Sequence, residues 1–345
     1  MKRFILIAIA SLVGSLGAHA QSFTARLEGG EQLCFQIVDT TQKAVEIVRV
    51  KLMGNAKPSL PSGDLLIPSS VRYKNSVYPV VSIGESAFAG ANGLESVSIP
   101  SSVQKIGDKA FSECTSLRSI VFPSSMPSIG ENAFEKCKSL TYISLGSDWT
   151  AVDLQLFEDS KSLKEVFIPA RVNRITGVKK LPALEMIEVD PNNKHFSSHD
   201  GMLYSKDGLT LYACPCARSG HLSVQEGTET ILDGALKNSS KIETILLPAT
   251  VHSFAYDEFS GCDNLKEITL LSEVPPMTAK WNGAAVFAIV APNQDCIVRI
   301  PKKNIDRYQT GICSSEGAYE TLKSSRKADI PAGKMMDKSL VKRTK

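Results

Sequence analysis

Apolar residues return along this chain at a fixed interval. Ile83, Ile106, Ile129, Val152 and Ile175 stand 23 residues apart, and Ile231 and Phe254 resume that interval after an interruption. Within each unit the same places stay apolar: Phe88, Phe111, Phe134, Phe157, Leu236 and Phe259, then Leu94, Leu117, Leu140, Leu163, Ile242 and Leu265. Next come the pairs Val97/Ile99, Ile120/Phe122, Ile143/Leu145, Val166/Ile168, Ile245/Leu247 and Ile268/Leu270. The pattern L-x-x-V-x-I puts two apolar residues on alternate positions of a short strand, with polar neighbours on its other face. Pro100, Pro123, Pro169 and Pro248 close the strand, because proline cannot donate in a ladder. Gly84, Gly107 and Gly130 mark a tight turn where the chain comes back. One strand per 23 residues predicts a right-handed solenoid: a parallel β ladder of coils with little regular helix, in which no coil buries its apolar face alone.

The flanks break the interval. Cys34 to Leu52 alternates apolar and polar residues in two runs, predicting a β-hairpin within an N-terminal cap over 21–80, and Leu65 to Val71 reads as a first, degenerate coil. The repeat array spans 81–275. The unit from Ile175 is two residues short, and Val152 to Leu156 depart from the common pattern. An insertion at about 191–230 carries Asp207-Gly208 between "MLY" and "LTLY", a hairpin-turn signal. It reads either as an arm contacting a partner or as a tolerated loop, since added loop length costs little closure entropy. A C-terminal β cap follows over 276–322, and 323–345 is a basic, disordered tail.

The motif L-x-x-V-x-I-P-x-x-V-x-x-I-G-x-x-A-F-x-x-C-x-x-L resembles the BspA-type leucine-rich repeat of bacterial surface proteins. The resemblance covers roughly residues 65–275. "SSHDGMLYSKDGLTLYACP" is similar to a hairpin insertion of that family, and "SEVPPM" with "CIVRIPKKNIDRY" to its closing cap. The resemblance implies a role at the cell surface, in adhesion to host matrix proteins.

Charge and termini narrow the classes. Residues 323–345 hold eight Lys and Arg against two Asp; setting aside that +6 and the +2 of Lys2 and Arg3 leaves residues 21–322 near −5 of the overall +3. An acidic body argues against nucleic-acid binding, which wants a basic stripe. Lys2-Arg3, an apolar run to Leu16 and Ala18-His19-Ala20 read as a signal peptide over 1–20, cleaved after Ala20. No later segment reaches the ~20 apolar residues that span a bilayer. The expected location is therefore secreted, cell-surface or periplasmic.

Eight cysteines in an exported chain suggest a disulfide framework. Yet Cys114, Cys137 and Cys262 share one repeat slot with Ala91, Ser160 and Ser239, a slot that wants a small side chain rather than a thiolate. A Cys114–Cys137 bridge between adjacent coils stays open at this point. So do pairings of Cys34, Cys214, Cys216, Cys296 and Cys313, including a clip between the last two. Cys214 and Cys216 with His199 and His221 could be read as metal ligands, but lack the paired spacing of a zinc site. No G-x-S-x-G, H-E-x-x-H, Walker or calcium-loop motif occurs, so the expectation is no enzyme, no metal and no cofactor.

The outward strand positions are where binding would occur. Val121, Tyr142, Phe167, Met186 and Leu246 would form an apolar patch, rimmed by Glu165, Glu188 and Glu267. Two functions follow: a recognition module or adhesin for an extracellular protein or glycan, or a structural component of the envelope whose patch the insertion or a cap covers.

Overall fold

The computed structural model describes residues 22–27, 32–39, 43–48, 60–281, 284–286, 289, 296–301 and 341–343. The expected leader, most of the basic tail and Cys313 lie outside these residues. Coils of about 23 residues stack through strands, and the helical content is two 3-10 turns, Leu154–Phe157 and Val178–Lys180, among the described residues. The chain divides into two units, Met1–Ala183 and Leu184–Lys345.

In the first unit the L-x-x-V-x-I segments form a parallel front sheet of Gly63–Leu66, Leu94–Ser98, Ser119–Val121 and Tyr142–Ser144. Its register places Leu65, Val97, Ile120 and Ile143 side by side, facing inward. A second, lateral sheet runs through Ser76–Ile83, Lys105–Ile106 and Ser128–Ile129, with Ile83, Ile106 and Ile129 in line. Three N-terminal strands, Ser22–Arg26, Gln32–Asp39 and Ala44–Val48, pair antiparallel, and the last joins Ser76–Ile83 in parallel.

The corner between sheets has its own ladder. The amides of Ser86, Phe88 and Gly90 donate to the carbonyls of Asp108, Ala110 and Ser112 in the next coil, at 2.9, 2.8 and 2.8 Å. Lys109, Phe111 and Glu113 repeat this one coil on, to Glu131, Ala133 and Glu135. The glycines that follow Ile83, Ile106 and Ile129 do not serve as left-handed turn residues. Gly107 and Gly130 are not in the left-handed region; that conformation falls on Ser86, Lys109 and Asn132 and on Gly90, Glu113 and Lys136. A Cβ on Gly107 would sit 2.6 Å from the Glu85 nitrogen, and one on Gly130 2.5 Å from the Asp108 nitrogen. These glycines are required because the neighbouring coil's backbone passes too close for any side chain.

Inside, the repeated phenylalanines form a spine. Phe88 and Phe111 stack with ring centroids 5.1 Å apart, Phe111 and Phe134 at 5.5 Å, and Phe157 continues at 5.4 Å from Phe134. Each is fully buried, and aromatic contacts of this kind add ~0.5–1.5 kcal/mol beyond burial. The irregular coil at Val152 explains itself locally. Asp153 caps the turn Leu154–Phe157 by accepting from the Gln155 amide at 3.1 Å, and buried Trp149 packs 5.1 Å from Phe122 while donating to the Pro123 carbonyl.

The second unit opens with Met186–Val189 and an antiparallel set, Phe196–His199, Met202–Ser205 and Thr210–Ala213. The insertion is shorter than 191–230. Thr210–Ala213 already lies parallel to Thr230–Ile231, and Gly220–Ser223 already lies parallel to Ile242–Leu247, with Leu222 beside Ile245. A coil that the spacing did not reveal therefore fills residues 210–231. The front sheet of this unit continues through Glu267–Leu270, Ile297–Ile300 and Val341–Arg343, all parallel. That last strand falls within the segment expected to be a disordered tail.

Candidate recognition surface

Alternation on short strands decides what faces outward. In the first unit one outward column reads Leu66, Ser98, Val121, Ser144 and the other Asp64, Ser96, Ser119, Tyr142. Glu165 and Phe167 occupy the same two positions on the next front strand, Glu165–Ile168. Val121, Tyr142 and Phe167 are exposed by 41, 55 and 47%, and Glu165 is exposed beside them. Leu66, which the sequence pattern did not single out, is exposed by 58% on the same sheet. Large apolar side chains held half in water on a hydrogen-bonded sheet have little freedom to fold away. Between them stand serines, so the surface carries no net charge along the Leu66 column.

The second unit treats its share differently. Met186 is half-buried because the hairpin tip lies on it. The Ile187 amide donates to the Gly201 carbonyl at 2.9 Å, and a Cβ on Gly201 would stand 3.2 Å from the Met186 Cγ. Arg218 forms an ion pair with Asp200 beside that glycine. Glu188 on the same strand is exposed. Leu246 is half-buried within a polar face. Around it the His221 Nδ1 meets the Thr244 hydroxyl at 2.6 Å, and Arg299 Nε donates to Glu267 Oε2 at 2.7 Å. Thr269 also donates to Glu267, at 3.0 Å. Val121, Tyr142, Phe167 and Glu165 thus share the first unit's front, while within the second unit Met186 lies under the hairpin tip and Leu246 among polar groups. The second unit also exposes Tyr212, Leu232, Tyr256 and Met277. Leu232 follows Ile231 where Gly84, Gly107 and Gly130 follow their isoleucines, a substitution visible in the sequence once the coils are aligned.

The cysteine slot faces the core. Cys114, Cys137 and Cys262 are fully buried, and their thiols donate to the carbonyls of Phe88, Phe111 and Leu236 at 3.3 Å each. Burial pushes the thiols of Cys114 and Cys137 up to about 12, and that of Cys296 to about 11. Among the described residues there is no disulfide bond and no group of three His, Cys, Asp or Glu placed to hold a metal ion. Buried Tyr204 is likewise pushed up to about 12, by loss of water, while its hydroxyl accepts from the Gln225 amide. No helix among the described residues is long and apolar enough to cross a membrane.

The chain is similar in fold to several solved bacterial proteins. A leucine-rich cell surface protein from Faecalibacterium prausnitzii shares 20% identity over 83% of this chain and 95% of that one, with a TM-score of 0.39. The pneumococcal vaccine antigen PcpA shares 17% over 83% and 95%, with a TM-score of 0.44. A leucine-rich repeat protein from Bacteroides ovatus shares 18% over 81% and 79%, with a TM-score of 0.42. No curated protein matches the chain. Six copies of the BspA-type leucine-rich repeat region match residues 79–197 and 214–280, more than half of the 345 residues, and the chain belongs to that family.

Proposed function

We propose that this protein is a non-catalytic recognition module, exported by cleavage after Ala20, that binds an extracellular protein or glycan through the front sheet of its first unit. The observation that carries the reading is the exposure of Val121, Tyr142 and Phe167, by 41 to 55%, at positions where other coils present serine. Aromatic and apolar residues on a rigid sheet are what interface cores use, because they bury area at low entropic cost. Leu66 extends the surface, and the acidic Glu165 gives it a charged rim. The alternative is an envelope scaffold without a soluble ligand; the hairpin tip over Met186 favours it, since there the fold covers its own apolar residue.

The test is the triple variant Val121→Ser, Tyr142→Ser, Phe167→Ser. Capture of the full chain by immobilised extracellular matrix proteins and by a glycan array should fall at least ~10-fold, as loss of ~1.4 kcal/mol or more at an interface centre requires. Thermal unfolding should stay near that of the parent, because none of the three side chains faces the core. Undiminished capture by the variant would overturn the reading.

A further inference from the structure

Cys114, Cys137 and Cys262 occupy one slot in three coils, and each thiol is bonded to the main chain of the coil before it. We infer that this slot keeps its cysteines reduced in an oxidising medium: the thiols neither join one another nor exchange with an external disulfide until their coil separates from the stack. The inference stands on this geometry alone and does not depend on the front sheet being a recognition surface.

Adjacent coils of a parallel ladder lie ~4.8 Å apart, within the Cα range a disulfide accepts. Proximity alone would therefore permit a Cys114–Cys137 bridge. Direction opposes it. Both sulfurs point toward the preceding coil, Cys114 to the Phe88 carbonyl and Cys137 to the Phe111 carbonyl, so the two lie translated along the stack rather than facing each other. Bridging would pull one thiol off its acceptor and turn it within a closely packed phenylalanine spine. Access opposes exchange as well, since all three cysteines are fully buried and a thiolate must reach the attacked sulfur in line. The rise of Cys114 and Cys137 from 9.0 to about 12 makes the attacking thiolate ~1000-fold rarer still.

The reaction prevented is defined. A protein thiolate attacks one sulfur of glutathione disulfide and expels glutathione thiolate, which takes up the proton. A second protein thiolate then displaces the remaining glutathione, so two thiols lose two hydrogens and the glutathione disulfide gains them. The full chain is incubated with glutathione disulfide, native and in guanidinium, and peptide masses are followed over time. Native Cys114, Cys137 and Cys262 should react ~1000-fold or more slowly than in guanidinium. Phe111→Ala, which loosens the coils of Cys114 and Cys137, should speed their reaction about tenfold or more. A Cys114–Cys137 linked peptide from native protein, adducts at the denatured rate, or a rate indifferent to Phe111→Ala would each overturn the inference.

Discussion

At the residue scale, each repeat slot is a distinct physical demand, and the cysteine slot shows how far sequence can state it. That Cys, Ala and Ser alternate there already says small and buried. That the thiol donates to a main-chain carbonyl of the preceding coil is a matter of three dimensions, beyond the reach of spacing. Gly107 and Gly130 illustrate the same gap. Their recurrence with Gly84 in three successive coils reads as a turn signal, whereas the structure assigns it to backbone crowding and leaves the left-handed positions to Lys109, Asn132, Glu113 and Lys136. The thiols also have a consequence for pH. A cysteine raised from 9.0 to about 12 keeps its proton when folded and loses it when unfolded, so stability is full below pH 9 and declines as pH rises toward 12. The slope is about 1.4 kcal/mol per pH unit for each such thiol. Urea unfolding of the parent between pH 8.5 and 11 should therefore weaken more steeply than that of Cys114→Ser, Cys137→Ser. Parallel pH profiles for the two proteins would contradict the assignment.

At the scale of the element, the corner of the first unit's regular coils joins neighbours by three main-chain hydrogen bonds, and one coil of the second unit departs from that pattern. Where other coils hold Ala87, Ala110 and Ala133, the last repeat holds the fully buried Glu258. Its carboxylate accepts from the Gly234 amide at 3.0 Å and the Leu236 amide at 2.6 Å, replacing the two carbonyls that serve Ser86 and Phe88 in the first unit. Glu258→Leu removes both acceptors and should cost ~1–3 kcal/mol for each amide left without a partner. Glu258→Gln, which retains one oxygen, should fall between. Wild-type stability in Glu258→Leu, measured by urea midpoint, would mean that the coils close up and restore the backbone ladder. The coil itself was legible wherever its strand, phenylalanine and glycine all recurred. The coil at 210–231 was not: Gly220–Ser223 follows directly on an antiparallel insertion, and of the repeat's inward pairs it keeps just Leu222 and Val224, 23 residues before Ile245 and Leu247. Leu66 escaped notice for a similar reason, being placed by one partner strand only. Whether Met186 stood open or lay under the insertion stayed undecided in the sequence, because no one-dimensional pattern reports that Gly201 folds back over it.

At the scale of the whole molecule, ion pairs join neighbouring coils at the repeat interval. Lys136 meets Glu113 at 2.9 Å, Arg171 meets Asp148 at 2.7 Å and Lys266 meets Glu243 at 2.7 Å, each pair 23 residues apart and open to water. The hydrogen bond from Lys136 holds the Glu113 carboxyl below its usual range, and Lys266 does the same for Glu243. Such pairs are screened within ~3 Å at 1 M salt and contribute little at exposed sites. Raising sodium chloride from 0.1 to 1 M should leave the urea midpoint close to its low-salt value, because the stack rests on the phenylalanine spine and the backbone ladders. A large fall in the midpoint would show that surface charge holds the coils together.

The in-register stacking creates a hazard for a folding chain. Because the units of 23 residues are alike, a segment displaced by one whole coil would still find leucine against leucine and phenylalanine against phenylalanine. Periodicity alone therefore leaves the alignment of the chain with itself ambiguous. Trp149, Glu258 and the hairpin from Phe196 resolve the ambiguity, since each fits only one neighbour: an indole needing the Pro123 carbonyl, a carboxylate needing the amides of Gly234 and Leu236, a tip needing Met186 beneath it. The departures from the repeat act as fiducial marks along a ruler, and a slipped chain would bury each of them without its counterpart.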